Sequence, residues 1–243
     1  MCDEAIFDAA REAAQTPQDR QHLSELEAAL DAPRPTRYVP QMRAGEKVLD
    51  IGCGAGQTLI AACPYRIPGT GGGCVTCART DNSCQGWACG IDVDAAALRL
   101  GRSWSRIIQF QHAPAEHLPF DGPQFDRVVS RVALVFVDMR TALAEIRRVL
   151  RPGGRIWFSL HRFSMVPRMM GHRGWRGRIF LLYVALNGLL FHLTLRTWPL
   201  LGRREYWQSS SGMRRVLAKY GFEDIQTETH DCTLIVSACL KEP

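Results

Sequence analysis

A chain of 243 residues holds one elaborated domain, or two small ones, at roughly 100–200 residues each. With 46% hydrophobic and 22% charged residues it can bury a sizeable core, which excludes a disordered chain or a fibre. The net charge of +6 is too small to imply nucleic acid, and it is concentrated: residues 161–204 hold eight Arg and no Lys, Asp or Glu, leaving −2 for the rest.

Residues 1–15 are acidic and lack an apolar run, so neither a secretory signal nor a basic transit peptide is expected. Nine cysteines, an odd count, then read as reduced thiols in a cytoplasmic protein. Residues 3–31 read as two short helices broken near Pro17 and ending in Ala32-Pro33-Arg34-Pro35. This sets off a helical extension, 1–36, from a main domain, 37–243. A strand at 47–51 runs into Gly52-Cys53-Gly54-Ala55-Gly56 and a helix at 58–62. Residues 64–88 are rich in Gly, Cys, Thr and Asn without periodicity and read as an inserted loop.

Strands are expected at 88–92, 107–111, 125–130 and 155–160, with helices at 94–103 and 141–150, the last stopped by Pro152-Gly153-Gly154. Strands alternating with helices of about ten residues predict an α/β, doubly wound, Rossmann-like and mostly parallel sheet. After a helix at 213–220 come two strands with no helix between them, 224–229 and 232–240, which add a C-terminal antiparallel hairpin and bring the sheet to seven strands.

The chemistry is announced by Asp50-Ile51-Gly52-Cys53-Gly54-Ala55-Gly56, an apolar strand opening onto glycines at alternate positions. Glycine there permits a sharp turn and lets backbone N–H groups approach a ligand with no Cβ in the way. A dinucleotide fingerprint would be G-x-G-x-x-G, and its third glycine position here is Gln57. Asp92 ends the next strand, where an open α/β sheet places the ribose of its ligand.

With these blocks the sequence resembles class I S-adenosylmethionine-dependent methyltransferases over about residues 37–160, and is most similar to the branch of quinone and small-molecule enzymes. The resemblance also rests on Gly90-Ile91-Asp92-Val93-Asp94, Ala115-Glu116-His117-Leu118-Pro119-Phe120, Phe125-Asp126-Arg127-Val128-Val129-Ser130 and Glu145 to Gly154. It implies S-adenosylmethionine as cofactor. Asp50 would position the loop, with Gly52, Cys53, Gly54 and Gly56 around the methionine part. Asp92 would accept from both ribose hydroxyls, Val93 would pack on adenine, and Ala115, Glu116 and Ser130 would complete the site. Where the family usually has Asp before that Ala, this chain has Pro114, which offers neither carboxylate nor N–H.

Methyl transfer asks mainly for alignment and exclusion of water, with a base where the acceptor needs one. Candidates at the ends of the fourth and fifth strands are Ser130; Arg131, to orient an anion or carbonyl; and His161, as the base. Ser130-Arg131-Val132-Ala133 lacks the Pro-Pro-aromatic box of adenine methyltransferases and there is no Pro-Cys nucleophile, which disfavours nucleic-acid bases. The expected acceptor is a small hydrophobic or anionic molecule; the rivals are an RNA or protein methyltransferase and a non-catalytic cofactor-binding regulator.

Two insertions remain. The cysteine loop 64–88 carries Cys74-x-x-Cys77, half of a zinc knuckle without a matching second pair, so no metal is expected. In 161–212 an apolar run, 179–195, lies between arginines and tryptophans, with Tyr183, Asn187 and Thr194 as a narrow polar stripe. It reads as a lid helix, or as a helix making peripheral contact with an anionic membrane; a true span is the third and least favoured reading, since 17 residues fall short of the roughly 20 it needs.

Overall fold

The computed structural model of the chain describes residues 11–12, 14–30, 43, 45–62, 87–105, 108–171 and 174–242. Most of the first predicted helix, the Pro-rich connector, most of the cysteine loop and Arg173 lie outside them. In chain order the elements are α1 (Pro17–Leu30), β1 (Lys47–Ile51), α2 (Gln57–Ala61), β2 (Trp87–Asp92), α3 (Ala95–Trp104), β3 (Gln109–His112) and β4 (Phe125–Arg131). A 3-10 turn (Ala133–Phe136), α4 (Met139–Val149), β5 (Leu150–His161), α5 (Met165–Met170), α6 (Trp175–Thr194), α7 (Ser210–Lys219), β6 (Phe222–His230) and β7 (Thr233–Leu240) follow.

The seven strands are ordered β3-β2-β1-β4-β5-β7-β6. β1 pairs in parallel with β2 and β4, and β2 with β3; β7 runs antiparallel to both β5 and β6, as the missing helix between the last strands predicted. Val48, Leu49, Asp50 and Ile51 are all buried, the continuous run expected of a parallel strand covered on both faces. The sequence order reverses between β1 and β4, and at such a switch point ligands bind beyond the carboxyl ends of the strands.

The chain forms two compact units, one of Met1–Pro114 with Phe125–Val129, the other of Ala115–Gln124 with Ser130–Pro243. In the first, Pro17 opens α1, a position that needs no N–H, and Asp94 caps α3 by accepting from the Ala96 and Ala97 amides. Arg127 and Glu46 make a bidentate pair (2.9 and 3.0 Å), nearly buried on both sides. Burial would raise the Glu46 carboxyl, but the Arg127 guanidinium holds it below the usual carboxylate range.

In the second unit, Asp138 caps α4 and Ser209 caps α7. The predicted stop at Pro152-Gly153-Gly154 is corrected: α4 ends at Val149 and those residues lie inside β5, with Gly153 at φ +72°. α6 begins at Trp175, four residues ahead of the apolar run, and with 20 residues it is long and apolar enough to cross a membrane by length and composition alone, which corrects the shortfall expected from 17. Its inner face packs Leu181 and Val184 on Val166 of α5 and on Trp207. Gly188 is required there, since a Cβ would stand 2.2 Å from the Trp207 ring.

The predicted polar stripe fastens the segment that follows α6. Tyr183 Oη donates to Trp198 O (2.7 Å), Asn187 donates to Glu205 O (3.1 Å), and Asn187 Oδ1 accepts the Trp198 amide (2.7 Å). The arginines are not left to repel one another either. Arg168 pairs with Asp231, Arg204 with Asp138, and Arg162 donates to Asp231 O, so acids outside the basic segment meet part of its charge.

Candidate functional site

The first unit holds the loop between β1 and α2. Gly52, Gly54 and Gly56 all have positive φ (+70°, +55° and +84°), which is why glycine alternates there. One expectation is corrected. The loop's N–H groups are spent within the protein: Gly52 and Cys53 donate to Ile91 O, Gly56 donates to Cys53 O, and Gly54 donates to Asp92 Oδ2 at 2.8 Å. What the loop offers a ligand is therefore close approach to its backbone. Gly56 also seats Phe110, for a Cβ there would meet the ring at 2.8 Å.

Cys53 lines this loop through its backbone only. Its thiol is buried against Gly90, where a Cβ would come within 2.6 Å of the sulfur. Burial first, then the negative charges of Asp50 and Asp92, push that thiol up, so it is protonated and inert. Asp50 is fully buried beneath the loop.

Asp92 joins the loop to α3. Its Oδ2 accepts from Gly54 and its Oδ1 from the Asp94 amide (2.9 Å). That uses two of the roughly four acceptor positions of a carboxylate and leaves the others for a diol. Val93, directly after it, is 66% exposed, an apolar side chain presented beside an acceptor. Its carbonyl is held by His112 Nε2 at 2.9 Å. The residues present fit a nucleoside with ribose on Asp92 and base on Val93.

Sequence reading missed what sits over the loop. Gln57 is buried, and its amide nitrogen reaches His22 Nδ1 on α1 at 2.8 Å. The same nitrogen lies 3.5 Å from His22 O and from Glu25 Oε2, which marks it as the donor. With that amide donating, His22 Nδ1 takes the acceptor role, and its buried Nε2 has no partner among the described residues. A Cβ on Gly54 would meet this ring at 3.2 Å. Only the 35-residue separation hid the contact.

In the second unit, Ala115 is buried and Glu116 Oε1 accepts the Asp138 amide (2.9 Å). The segment behind them is clamped by α4: Glu145 accepts the Leu118 amide, and Arg148 donates to the Leu118 and Phe120 carbonyls. Ser130 is fully buried in β4 and Arg131 is half-buried at its end. Val132, next along, has φ +67°, a strained conformation for a β-branched residue, with its N–H on Ser159 O (2.8 Å).

His161 ends β5, half-buried, with its ring edge-on to Phe136 (centroids 6.3 Å apart). Burial holds its imidazole below the usual histidine range, so it is neutral at pH 7, and Nδ1 has no partner among the described residues. Its carbonyl accepts the amide of Gln208 (2.8 Å), a buried residue that no motif marks and whose Oε1 is likewise unpartnered among the described residues. His161 Nδ1 and Gln208 Oε1 are thus two buried polar atoms without partners among the described residues, on residues joined by a backbone hydrogen bond. The described residues contain no group of three or more His, Cys, Asp or Glu suited to a metal.

Comparison with known proteins follows the same line. Residues 68–158 match a family model described as a methyltransferase domain. The chain is 32% identical over 121 residues to the uncharacterized methyltransferase YcgJ of Bacillus subtilis, covering 47% of this chain and 40% of that protein. It is 32% identical over 136 residues to the demethylmenaquinone methyltransferase of Clavibacter sepedonicus, covering 54% and 47%. These matches span less than half the length of the curated relatives. The crystal structure of YcgJ shares the fold, with a TM-score of 0.53, 17% identity and coverage of 90% of this chain and 99% of that one. The fold, the glycine loop with its acid partner and the matched segment all resemble those of class I S-adenosylmethionine-dependent methyltransferases.

Proposed function

We propose that the protein transfers a methyl group from S-adenosylmethionine to a small hydrophobic molecule with a polar or anionic head. The observation that carries the cofactor half is the left-handed Gly52/Gly54/Gly56 loop tied to Asp92. When bound, the cofactor supplies a methyl on a sulfonium that carries its own leaving group. The protein's part is then to bind, align and exclude water.

Asp92 accepts the ribose hydroxyls, Val93 packs on the base, and His22 Nε2–H gives an anionic group at the loop a donor already stripped of water. On the acceptor side, neutral His161 takes the acceptor's proton, Gln208 fixes a polar head, and Arg131 orients an anion. Phe136, exposed beside His161, favours an aromatic or otherwise apolar acceptor body. The similarity to a demethylmenaquinone methyltransferase supports such an acceptor.

The test is transfer of tritiated methyl from the cofactor to fractionated cell extract. Label in the organic-soluble or small-molecule fraction, lost in His161→Gln, is the expected result. Label on RNA or protein would replace the acceptor class, and cofactor binding without transfer to any fraction would make the protein a regulator.

A further inference from the structure

The outer face of α6 is apolar from end to end. Trp175, Ile179, Leu182, Leu186, Leu189 and Leu193 recur at alternating steps of four and three, the spacing of one helix face, and all are between 46% and 68% exposed. At 1.5 Å per residue this stripe runs about 30 Å. So large a continuous apolar surface is rare on a soluble chain and marks an interaction site. The opposite face is locked onto its own unit by Leu181, Val184 and Gly188 against Trp207, so the helix cannot turn the stripe inward.

A second apolar element lies beyond the helix end. Leu200 and Arg203 pair as a two-residue hairpin (2.8 and 2.9 Å) whose tip is Leu201-Gly202, both with positive φ. Such a turn is the place for Asn-Gly. Leucine is held there in a left-handed conformation and is 94% exposed, while Trp198 beside it is 73% exposed. Neither its own backbone nor its own unit benefits from a leucine at that tip.

Charge decides the occupant. Arg176, stacked 5.2 Å over Trp175, lies exposed at the start of the stripe, and exposed Arg196 and Arg203 lie at its end, with no acid anywhere from 161 to 204. A second copy paired stripe to stripe, in either direction, would set arginines against arginines with nothing to neutralise them. An anionic lipid surface receives both features: apolar side chains at the acyl boundary, tryptophans at the headgroup level, and guanidinium groups on phosphates.

We propose that the outer face of α6, with the Trp198–Leu201 tip, docks on an anionic membrane surface, the helix lying in the plane of one leaflet. A helix locked along one side to a folded unit lies on the bilayer and does not cross it. The inference is independent of methyl transfer; if both hold, the acceptor is met where a lipid-soluble molecule resides.

The test is co-sedimentation of the full chain with vesicles of phosphatidylcholine, with and without 30% phosphatidylglycerol, alongside analytical ultracentrifugation of the free protein. Binding at least tenfold tighter to the anionic vesicles is expected, released by 0.5 M salt. Leu182→Gln with Leu186→Gln, and separately Arg176→Gln with Arg196→Gln, should each weaken it tenfold or more. All these side chains are exposed, so circular dichroism and S-adenosylhomocysteine binding should be unchanged. Absent binding, equal binding to neutral vesicles, or binding that resists salt would overturn the proposal. So would a dimer in solution that Leu186→Gln dissociates, which would assign the stripe to a second copy.

Discussion

Gly56→Ala puts the reading of the cofactor loop under direct strain. The residue sits at φ +84°, where an L side chain costs about 1–2 kcal/mol. The added Cβ would also stand 2.8 Å from Phe110 Cζ and 3.0 Å from Cε1, and overpacking a tight site costs about 1–3 kcal/mol. The ring cannot retreat toward Gly101, because a Cβ built there already meets Phe110 at 2.7 Å and Ala55 O at 2.9 Å. The two effects sum to about 2–5 kcal/mol, read as a shift in urea midpoint at unchanged slope. Phe110→Leu removes the ring edge but not the backbone penalty, so in a double-mutant cycle the pair should couple by about 1–3 kcal/mol. A cost below about 1 kcal/mol for Gly56→Ala, or no coupling to position 110, would refute the account of why glycine stands there.

Other expectations follow from single contacts. Arg127→Ala leaves a nearly buried Glu46 carboxylate alone and should cost about 3–5 kcal/mol in chemical unfolding. Because the folded Glu46 pKa is depressed, the pair's contribution should be present above the unfolded value and lost as pH falls through the acid range, a dependence Glu46→Gln removes. If His161 is the base, kcat/KM should rise with pH through a midpoint below 6.5 and stay flat above it; His161→Gln should abolish that rise. Burial pushes the Cys89 thiol to about 12 and raises that of Cys53, so mass-spectrometric mapping after iodoacetamide at pH 8 should find both unmodified while Cys232 reacts.

The parts legible in the sequence were those written in local spacing. Alternate glycines after an apolar strand announced a sharp turn, which the structure makes with three left-handed residues; the acid ending the next strand reads as a ribose acceptor, and its bond to the Gly54 amide comes from the structure alone. Two strands with no helix between them announced the antiparallel pair. What escaped was either non-local or ambiguous by composition. Nothing near His22 tells that it meets Gln57 across 35 residues, and Gln208 belongs to no pattern at all. Pro152-Gly153-Gly154 reads as a stop, yet Pro is tolerated near the start of a strand and Gly153 supplies the positive φ that β5 uses. In α6, apolar almost all round, periodicity could not say which side was covered. The contact of Gly188 with Trp207 settles that, and only then does the six-residue outer stripe stand out.

The most direct measurement of the central claim is calorimetric titration of the full-length protein with S-adenosylhomocysteine. The account predicts one site per chain. It further predicts that Asp92→Ala weakens binding by about 1.5–3 kcal/mol, roughly 10- to 150-fold, the scale for lost hydrogen bonds to a charged group. Because that change also releases the Gly54 amide, Asp92→Asn, which keeps an acceptor oxygen for it, should bind more tightly than the alanine variant and more weakly than the wild type. Binding of NADH with no response to S-adenosylhomocysteine, or an affinity indifferent to position 92, would contradict it.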